Sequence, residues 1–111
     1  MEVNQIGFFQ FDNLIQNRVP FILVNLGVDL SSWYKAHLAL HLENHTLACT
    51  PENAIELVQA KKVPPHYALV VIDAKGETSF LVAASLEAAG FINVYVVKNG
   101  LAGLAIDRAA Q

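Results

Sequence analysis

Chemistry in this sequence is concentrated where a short apolar run ends in a carboxylate. Residues 67–72 are almost entirely apolar and rich in β-branched side chains, which is typical of a strand buried on both faces. Asp73 ends this run, and Gly76 permits a tight turn before a helix. In an open parallel sheet, ligands bind at such junctions, where loop amides and a helix N-terminus favour an anion. The candidate pocket loop consists of Asp73, Ala74, Lys75, Gly76, Glu77, Thr78 and Ser79.

Asp73 itself has more than one interpretation. It can simply cap the loop amides, as aspartates at strand ends often do. It can also fill the anion site from within, or accept a hydrogen bond from a partner protein. A phosphoacceptor aspartate of the receiver-domain kind is disfavoured, because the interval between Asp73 and Lys98 leaves no room for another strand and helix.

A second group of chemically capable residues recurs every four positions. It consists of His37, His41, His45 and Cys49. On one continuous helix, two or three of these side chains could bind zinc. The leucines at 38, 40 and 42 alternate with His37, Ala39 and His41, however, and favour a strand over residues 37–42. We therefore expect no metal site and no cofactor.

Cys49 is the only thiol in the chain. It precedes Thr50 and Pro51, which predict a helix start, and a helix N-terminus lowers the pKa of a thiol. It is therefore a candidate nucleophile, although a lone cysteine also serves as a small apolar filler.

The remaining patterns predict strands and helices in alternation. Strands are expected at 21–26, 37–42, 67–72 and 94–97. A short helix is expected at 14–16, after a cap at Asp12 or Asn13, and one helical turn at 33–36. Three further helices are expected from Thr50 to residue 62, from Thr78 or Ser79 to Gly90, and from residue 101 onward. This order indicates an α/β fold with a parallel sheet covered on both faces.

The order of segments in this half of the chain resembles the rhodanese-like domain. It consists of the strand at 67–72, the loop with Gly76, the helix that ends at Gly90, and then Gly90-Phe91-Ile92-Asn93-Val94. The resemblance implies one domain over residues 1–111, with a three-layer fold and about five parallel strands. In active members a cysteine opens this loop and carries a persulfide, whereas this chain has Asp73.

Other positions also depart from the pattern of that family. The strand at 21–26 ends in Asn25, Leu26 and Gly27 rather than Asp-Val-Arg, and Thr78 stands where arginine is frequent. The segment with Trp33, Tyr34 and His37 resembles the family's Gly-His-Ile region. These three residues are therefore candidate contacts for the pocket or a partner.

We expect a non-catalytic rhodanese-like module that binds a protein or a second copy of itself. The alternative is a sulfurtransferase or sulfur carrier that uses Cys49 or a partner's thiol. The net charge of −3, with only 7 basic residues, argues against nucleic acid or a membrane surface as a partner. The beginning of the sequence lacks the pattern of a secretory signal, so a cytoplasmic location is expected.

Overall fold

The computed structural model describes residues 4–109, in which strands and helices alternate. In chain order the elements are β1 (Asn4–Ile6), α1 (Phe8–Gln16), β2 (Ile22–Asn25), α2 (Ala36–Asn44), β3 (Thr46–Ala48), α3 (Ala54–Ala60), β4 (Leu69–Ile72), α4 (Ser79–Ala88), β5 (Val94–Val97) and α5 (Gly100–Ala109). Among these helices, none has both the length and the apolar character needed to cross a membrane.

The five strands form one parallel sheet in the order β1-β5-β4-β2-β3. The central strand is β4, which pairs with β2 on one side and with β5 on the other. Because helices cover both faces, all four residues of Leu69–Ile72 are buried and apolar. The predicted fold class, a five-stranded parallel sheet between helical layers, is confirmed.

The alternating side chains of β4 contribute to two separate cores. Leu69 and Val71 face the layer formed by α3 and α4, whereas Val70 and Ile72 face the layer formed by α1, α2 and α5. Each layer adds buried apolar side chains to its own side of the sheet. Those of the helices are Ala54, Val58, Val82, Ala83 and Leu86 on one face, and Phe11, Ile15, Leu42 and Leu104 on the other.

The strand predicted over residues 37–42 is wrong, because these residues lie in helix α2. Leu38 and Leu42 are four residues apart, which places both on one helical face toward the core, and Leu40 is left exposed. The strand of this region is β3, which begins only at Thr46. The short edge strands β1 and β3 were both missed, since three residues carry almost no periodic signal.

Helix starts also differ from the prediction. Helix α1 begins at Phe8, ahead of Asp12 and Asn13, and the Gln10 side chain accepts a hydrogen bond from the Gly7 N–H at 3.0 Å. Residues 31–34 form a turn, and Lys35 in an extended conformation separates it from α2, so residues 33–36 are not a helical turn.

Helix α3 begins at Ala54 rather than after Thr50, and its N-cap residue is Asn53. Thr50 instead exchanges two hydrogen bonds with Asn53. The Thr50 N–H donates to Asn53 Oδ1 at 2.8 Å, and the Asn53 N–H donates to Thr50 Oγ1 at 3.3 Å. The threonine and proline therefore form a turn ahead of the helix.

Candidate functional site

The carboxylate of Asp73 lies at the carboxyl end of β4 and is surrounded by backbone amides. Its Oδ1 accepts a hydrogen bond from the Gly76 N–H at 2.5 Å, and its Oδ2 accepts from Thr78 and Ser79 at 2.7 and 2.9 Å. Asp73 is only 6% exposed. We call the three N–H groups the amide nest. A negatively charged oxygen pair therefore occupies this nest from within the chain itself.

The same carboxylate caps helix α4. Thr78 is the N-cap residue, yet its side chain makes no capping hydrogen bond. The predicted helix start at Thr78 or Ser79 is confirmed, but the acceptor for both backbone N–H groups is the Asp73 carboxylate rather than a hydroxyl of either residue. Negative charge at a helix N-terminus is stabilising, so the arrangement is electrostatically favourable. The Ser79 Oγ is buried and has no hydrogen-bond partner in the described part of the chain.

Helix α5 holds the loop from the other side. The Leu101 N–H donates to the Asp73 carbonyl oxygen at 2.8 Å, and the Ala102 N–H donates to that of Ala74 at 3.0 Å. Gly100 has a φ of +62°, and a Cβ there would collide with the Asp73 backbone oxygen. Gly76 has a φ of +88°, and a Cβ there would lie 2.8 Å from Asn99 Cα. The loop can thus be this close to α5 only with glycine at both positions.

A shallow cavity of about 230 Å³ opens over the loop. Its walls come from the loop and from residues that follow β2 and β3 in the chain. They are Leu26, Pro51, Asp73, Ala74, Lys75, Glu77 and Thr78. Lys75 and Glu77 are exposed at its rim and carry opposite charges. The cavity is therefore bounded by one cationic and one anionic side chain, with the Asp73 carboxylate already hydrogen-bonded.

Three predicted contact residues do not reach this cavity. His37 is exposed at the start of α2. Trp33 packs 6.3 Å from the ring of Phe8, with the Arg108 guanidinium 4.7 Å above its own ring. The Tyr34 hydroxyl donates to Asp12 Oδ1 at 2.9 Å. Burial, with further contributions from this aspartate, raises the pKa of Tyr34. Trp33 and Tyr34 therefore join α1 and the end of α5 to the turn before α2.

Cys49 lies just beyond β3, where its N–H donates to the Asn25 carbonyl at 2.9 Å. Its Sγ donates to the Leu47 carbonyl at 3.2 Å and packs against the core on the α3 and α4 side. Burial raises the pKa of the thiol, which opposes the predicted lowering by a helix N-terminus. The first helical residue, Ala54, is five positions away, so the helix cannot activate the thiol directly.

The four residues of the His37, His41, His45 and Cys49 series do not come together in the structure. His41 and His45 lie with ring centroids 4.4 Å apart, whereas Cys49 is beyond β3 and His37 is at the other end of the helix. Across residues 4–109, no three or more side chains of histidine, cysteine, aspartate or glutamate come together as a metal site would require. Burial, then the neighbouring His45 and Arg18, lowers the pKa of His41.

Solved structures of known proteins share this architecture. A solution NMR structure of the rhodanese-like domain of an Anabaena sp. protein matches with a TM-score of 0.67 and 19% identity, and the match covers 96% of this chain and 76% of that one. This chain has the rhodanese-like fold. A crystal structure of the same Anabaena protein matches with a TM-score of 0.66 and 16% identity over 92% of this chain and 86% of that one.

The rhodanese-like fold also recurs within a larger protein. An NAD-dependent persulfide reductase from A. fulgidus matches with a TM-score of 0.60 and 17% identity; 90% of this chain aligns with 15% of that one. No protein-family model and no curated protein sequence matches the chain. At these identities the comparisons show the rhodanese-like fold alone.

Sequence reasoning missed how helix α5 takes part in the site. The pattern Lys98-Asn99-Gly100 is typical of a turn, but nothing in it places that turn against residues 73–76. The signal available in the sequence was the presence of glycine at positions 76 and 100. In the structure both glycines have a positive φ, and both lie where the two segments touch. Sequence reasoning also missed Leu26 and Pro51 as walls of the cavity.

Proposed function

We propose that this chain is a non-catalytic rhodanese-like module whose pocket loop serves in binding a protein partner or a second copy of itself. The observation that carries this proposal is the Asp73 carboxylate bound to the three amides of the nest. The nest is the natural place for the anion of a reactive group, and here a fixed carboxylate occupies it. The loop has therefore kept its geometry without a group that can carry sulfur.

The chemical reason lies in the atom at position 73. A sulfur carrier needs a nucleophile that forms a covalent bond to a sulfane sulfur, as a cysteine thiolate does. A carboxylate oxygen does not hold sulfane sulfur in this way. Both oxygens of Asp73 are also engaged by amides, and the side chain is buried, which leaves it little freedom to attack a substrate.

Exposed apolar side chains beside the loop support a binding role. Phe80 and Leu81 lie in the first turn of α4 and are 42% and 64% exposed. Large apolar groups next to charged rim residues are characteristic of protein–protein interfaces. Lys75 and Glu77 would supply the polar rim around them.

Sulfur chemistry through Cys49 or a partner's thiol is the second candidate. It is favoured by the likeness to a persulfide reductase and by the position of Cys49, which follows β3 at the same sheet edge where Asp73 follows β4. Against it, the side chain of Cys49 packs on the core and is not among the residues that line the loop cavity.

A thiosulfate-to-cyanide sulfurtransferase assay tests the proposal. We expect wild type and Cys49→Ala to form thiocyanate only at the rate of a protein-free control. Turnover by the wild type that is lost in Cys49→Ala would overturn the non-catalytic assignment and favour the second candidate. Asp73→Cys, measured in parallel, reports whether a thiol in the nest regains transfer.

Sedimentation velocity over a range of protein concentrations tests the binding role for the case of self-association. We expect a sedimentation coefficient that rises with concentration in the wild type and rises less in Leu81→Ser. Ile92→Ser is the matched control, because Ile92 is 73% exposed but lies beyond the opposite end of α4. An equal effect of both variants would argue against the loop side of the helix as the interface.

A further inference from the structure

A second cavity, of about 280 Å³, lies at the opposite edge of the sheet from Asp73. It is bounded by the amino-terminal ends of β2 and β3 and by the segment that leads from α3 to β4. Its apolar wall consists of Phe21, Ile22, Leu47 and Val63, and its polar wall includes His45, Lys61 and Tyr67. Among residues 4–109, no acidic side chain lines it. This is notable in a chain of net charge −3 that has only 7 basic residues.

The polar wall is prepared for negative charge. The His45 ring stacks on Phe21, with 6.2 Å between ring centroids, and its Nδ1 lies 2.8 Å from the His41 carbonyl oxygen. As donor to that carbonyl, Nδ1 carries a proton, so Nε2 accepts a hydrogen bond when the ring is neutral and donates to an anion when the ring is doubly protonated. His45 is also the C-cap residue of α2, where a positive charge is favoured by the helix dipole. The Lys61 ammonium adds a permanent cation, and the Tyr67 side chain lies on the same wall.

A cavity along the side of α2, lined by Ala39, Leu42 and Glu43, provides an internal comparison. It has the same volume of about 280 Å³, but Asp29 and Glu43 line it, and no basic side chain from the described part of the chain does. Two cavities of equal size thus differ in the sign of their charge. The difference predicts that an anion binds more strongly in the cavity with Lys61 than in the one with Glu43.

We propose that the cavity lined by His45 and Lys61 binds a small organic anion, a carboxylate or phosphate group on an apolar body of about one ring. Pockets for drug-sized ligands run from about 300 to 1,000 Å³, so a volume slightly below that range fits a single ring. The ring would contact Phe21 and Val63, and the charged group would bind Lys61 and His45. This inference does not rest on the proposed function, because the cavity is at the other edge of the sheet.

Titrations followed by two-dimensional amide NMR test this inference, with benzoate and phenyl phosphate as probes. We expect saturable shifts centred on the amides of Leu47, Lys61 and Tyr67. Lys61→Gln should weaken binding about threefold to tenfold, the loss typical of one ion pair. Lys62→Gln is the matched control, because the adjacent Lys62 is exposed and does not line the cavity, and it should leave the affinity unchanged.

Benzamide, which has the same ring without the charge, completes the design. It should give no saturable shifts at these amides. Equal binding of benzamide, equal weakening by Lys61→Gln and Lys62→Gln, or shifts centred on residues 74–79 would each overturn the proposal. A stronger effect of phenyl phosphate than of benzoate would assign the site to phosphate-bearing ligands, and the reverse order would assign it to carboxylates.

Discussion

At residue 73 a single carboxylate both ends the central strand and caps the helix that follows. Its three acceptor contacts are short, and the side chain is almost fully buried. Charge-assisted hydrogen bonds in a buried setting are stronger than neutral ones, and a buried amide left without a partner is costly. The residue is thus expected to contribute strongly to stability, whatever its role in binding.

Asp73→Ala should lower the free energy of unfolding by about 3 kcal/mol, because three amides of the nest lose their acceptor. Urea denaturation at neutral pH measures this loss. Asp29→Ala is the control, since that aspartate also accepts a backbone N–H, from Ser31, but is exposed. A loss for Asp73→Ala no larger than that for Asp29→Ala would contradict the role of the carboxylate in the nest.

Acidification should destabilise the fold through His41. Its pKa in the folded state is lowered from 6.5 by burial, His45 and Arg18, so below about pH 6.5 the unfolded chain binds more protons. Stability that is present above this pH is therefore lost as the pH falls through the lower folded pKa. The decrease in Tm from about pH 7.5 to about pH 5 should be smaller in His41→Gln than in the wild type.

His37→Gln is the matched control for that experiment, because His37 lies on the same helix but is exposed. It should show the same decrease in Tm as the wild type. If His41→Gln were as acid-sensitive as the wild type, the acid response would have to come from other groups.

At the scale of elements, the candidate site depends on the contact between a loop and the start of a helix. Two N–H groups from the first turn of α5 donate to carbonyls of the loop, while the loop's own carboxylate caps α4. The loop is therefore held by the N-termini of two helices at once. Gly100 permits this contact, because any larger residue would push the two segments apart.

Gly100→Ala should cost about 3 kcal/mol or more of unfolding free energy, since the added Cβ meets Asp73 backbone in addition to the strain of a positive φ. Gly90 has a φ of +108°, but a Cβ added there would have no atom within 4 Å. Gly90→Ala should therefore lower the free energy of unfolding by only about 1–2 kcal/mol. Chemical denaturation of both variants gives the difference. Equal losses would mean that Gly100 is needed only for its backbone conformation.

At the scale of the whole molecule, one sheet separates two hydrophobic cores. The central strand β4 contributes alternate residues to each core, so neither core can lose its packing without disturbing the same strand. The sequence predicts a single domain. Because both cores share β4, we further expect them to unfold together.

Val70→Ala and Val71→Ala probe opposite faces of the sheet, and both side chains are fully buried. Each variant should lose about 2 kcal/mol of unfolding free energy, and each should still unfold in one transition. Urea curves recorded by fluorescence of Trp33 and by far-UV circular dichroism should coincide. Separate midpoints for the two signals would show that the two cores unfold independently.

The parts of the fold that were predicted correctly have a strong local signal. Buried parallel strands are continuous apolar runs, so β2, β4 and β5 could be predicted directly. Gly90, the predicted end of α4, has a positive φ and directly follows the C-cap residue Ala89. The edge strands could not be read, because each has three residues and is only partly covered. Alternating leucines in α2 imitated a strand, and only packing against the core decided in favour of the helix.

That a carboxylate follows the most apolar run of the chain and precedes a turn and a helix is evident from the amino-acid order, since each of these signals lies within a few neighbouring residues. The surroundings of that carboxylate, and the residues that stay away from it, follow instead from how the chain packs. The tertiary structure brought α5 against the loop, packed Trp33 and Tyr34 on α1 and the far end of α5, and placed Lys61 with His45. These contacts join residues far apart in the chain, and they depend on strand order and close packing, which local periodicity does not encode.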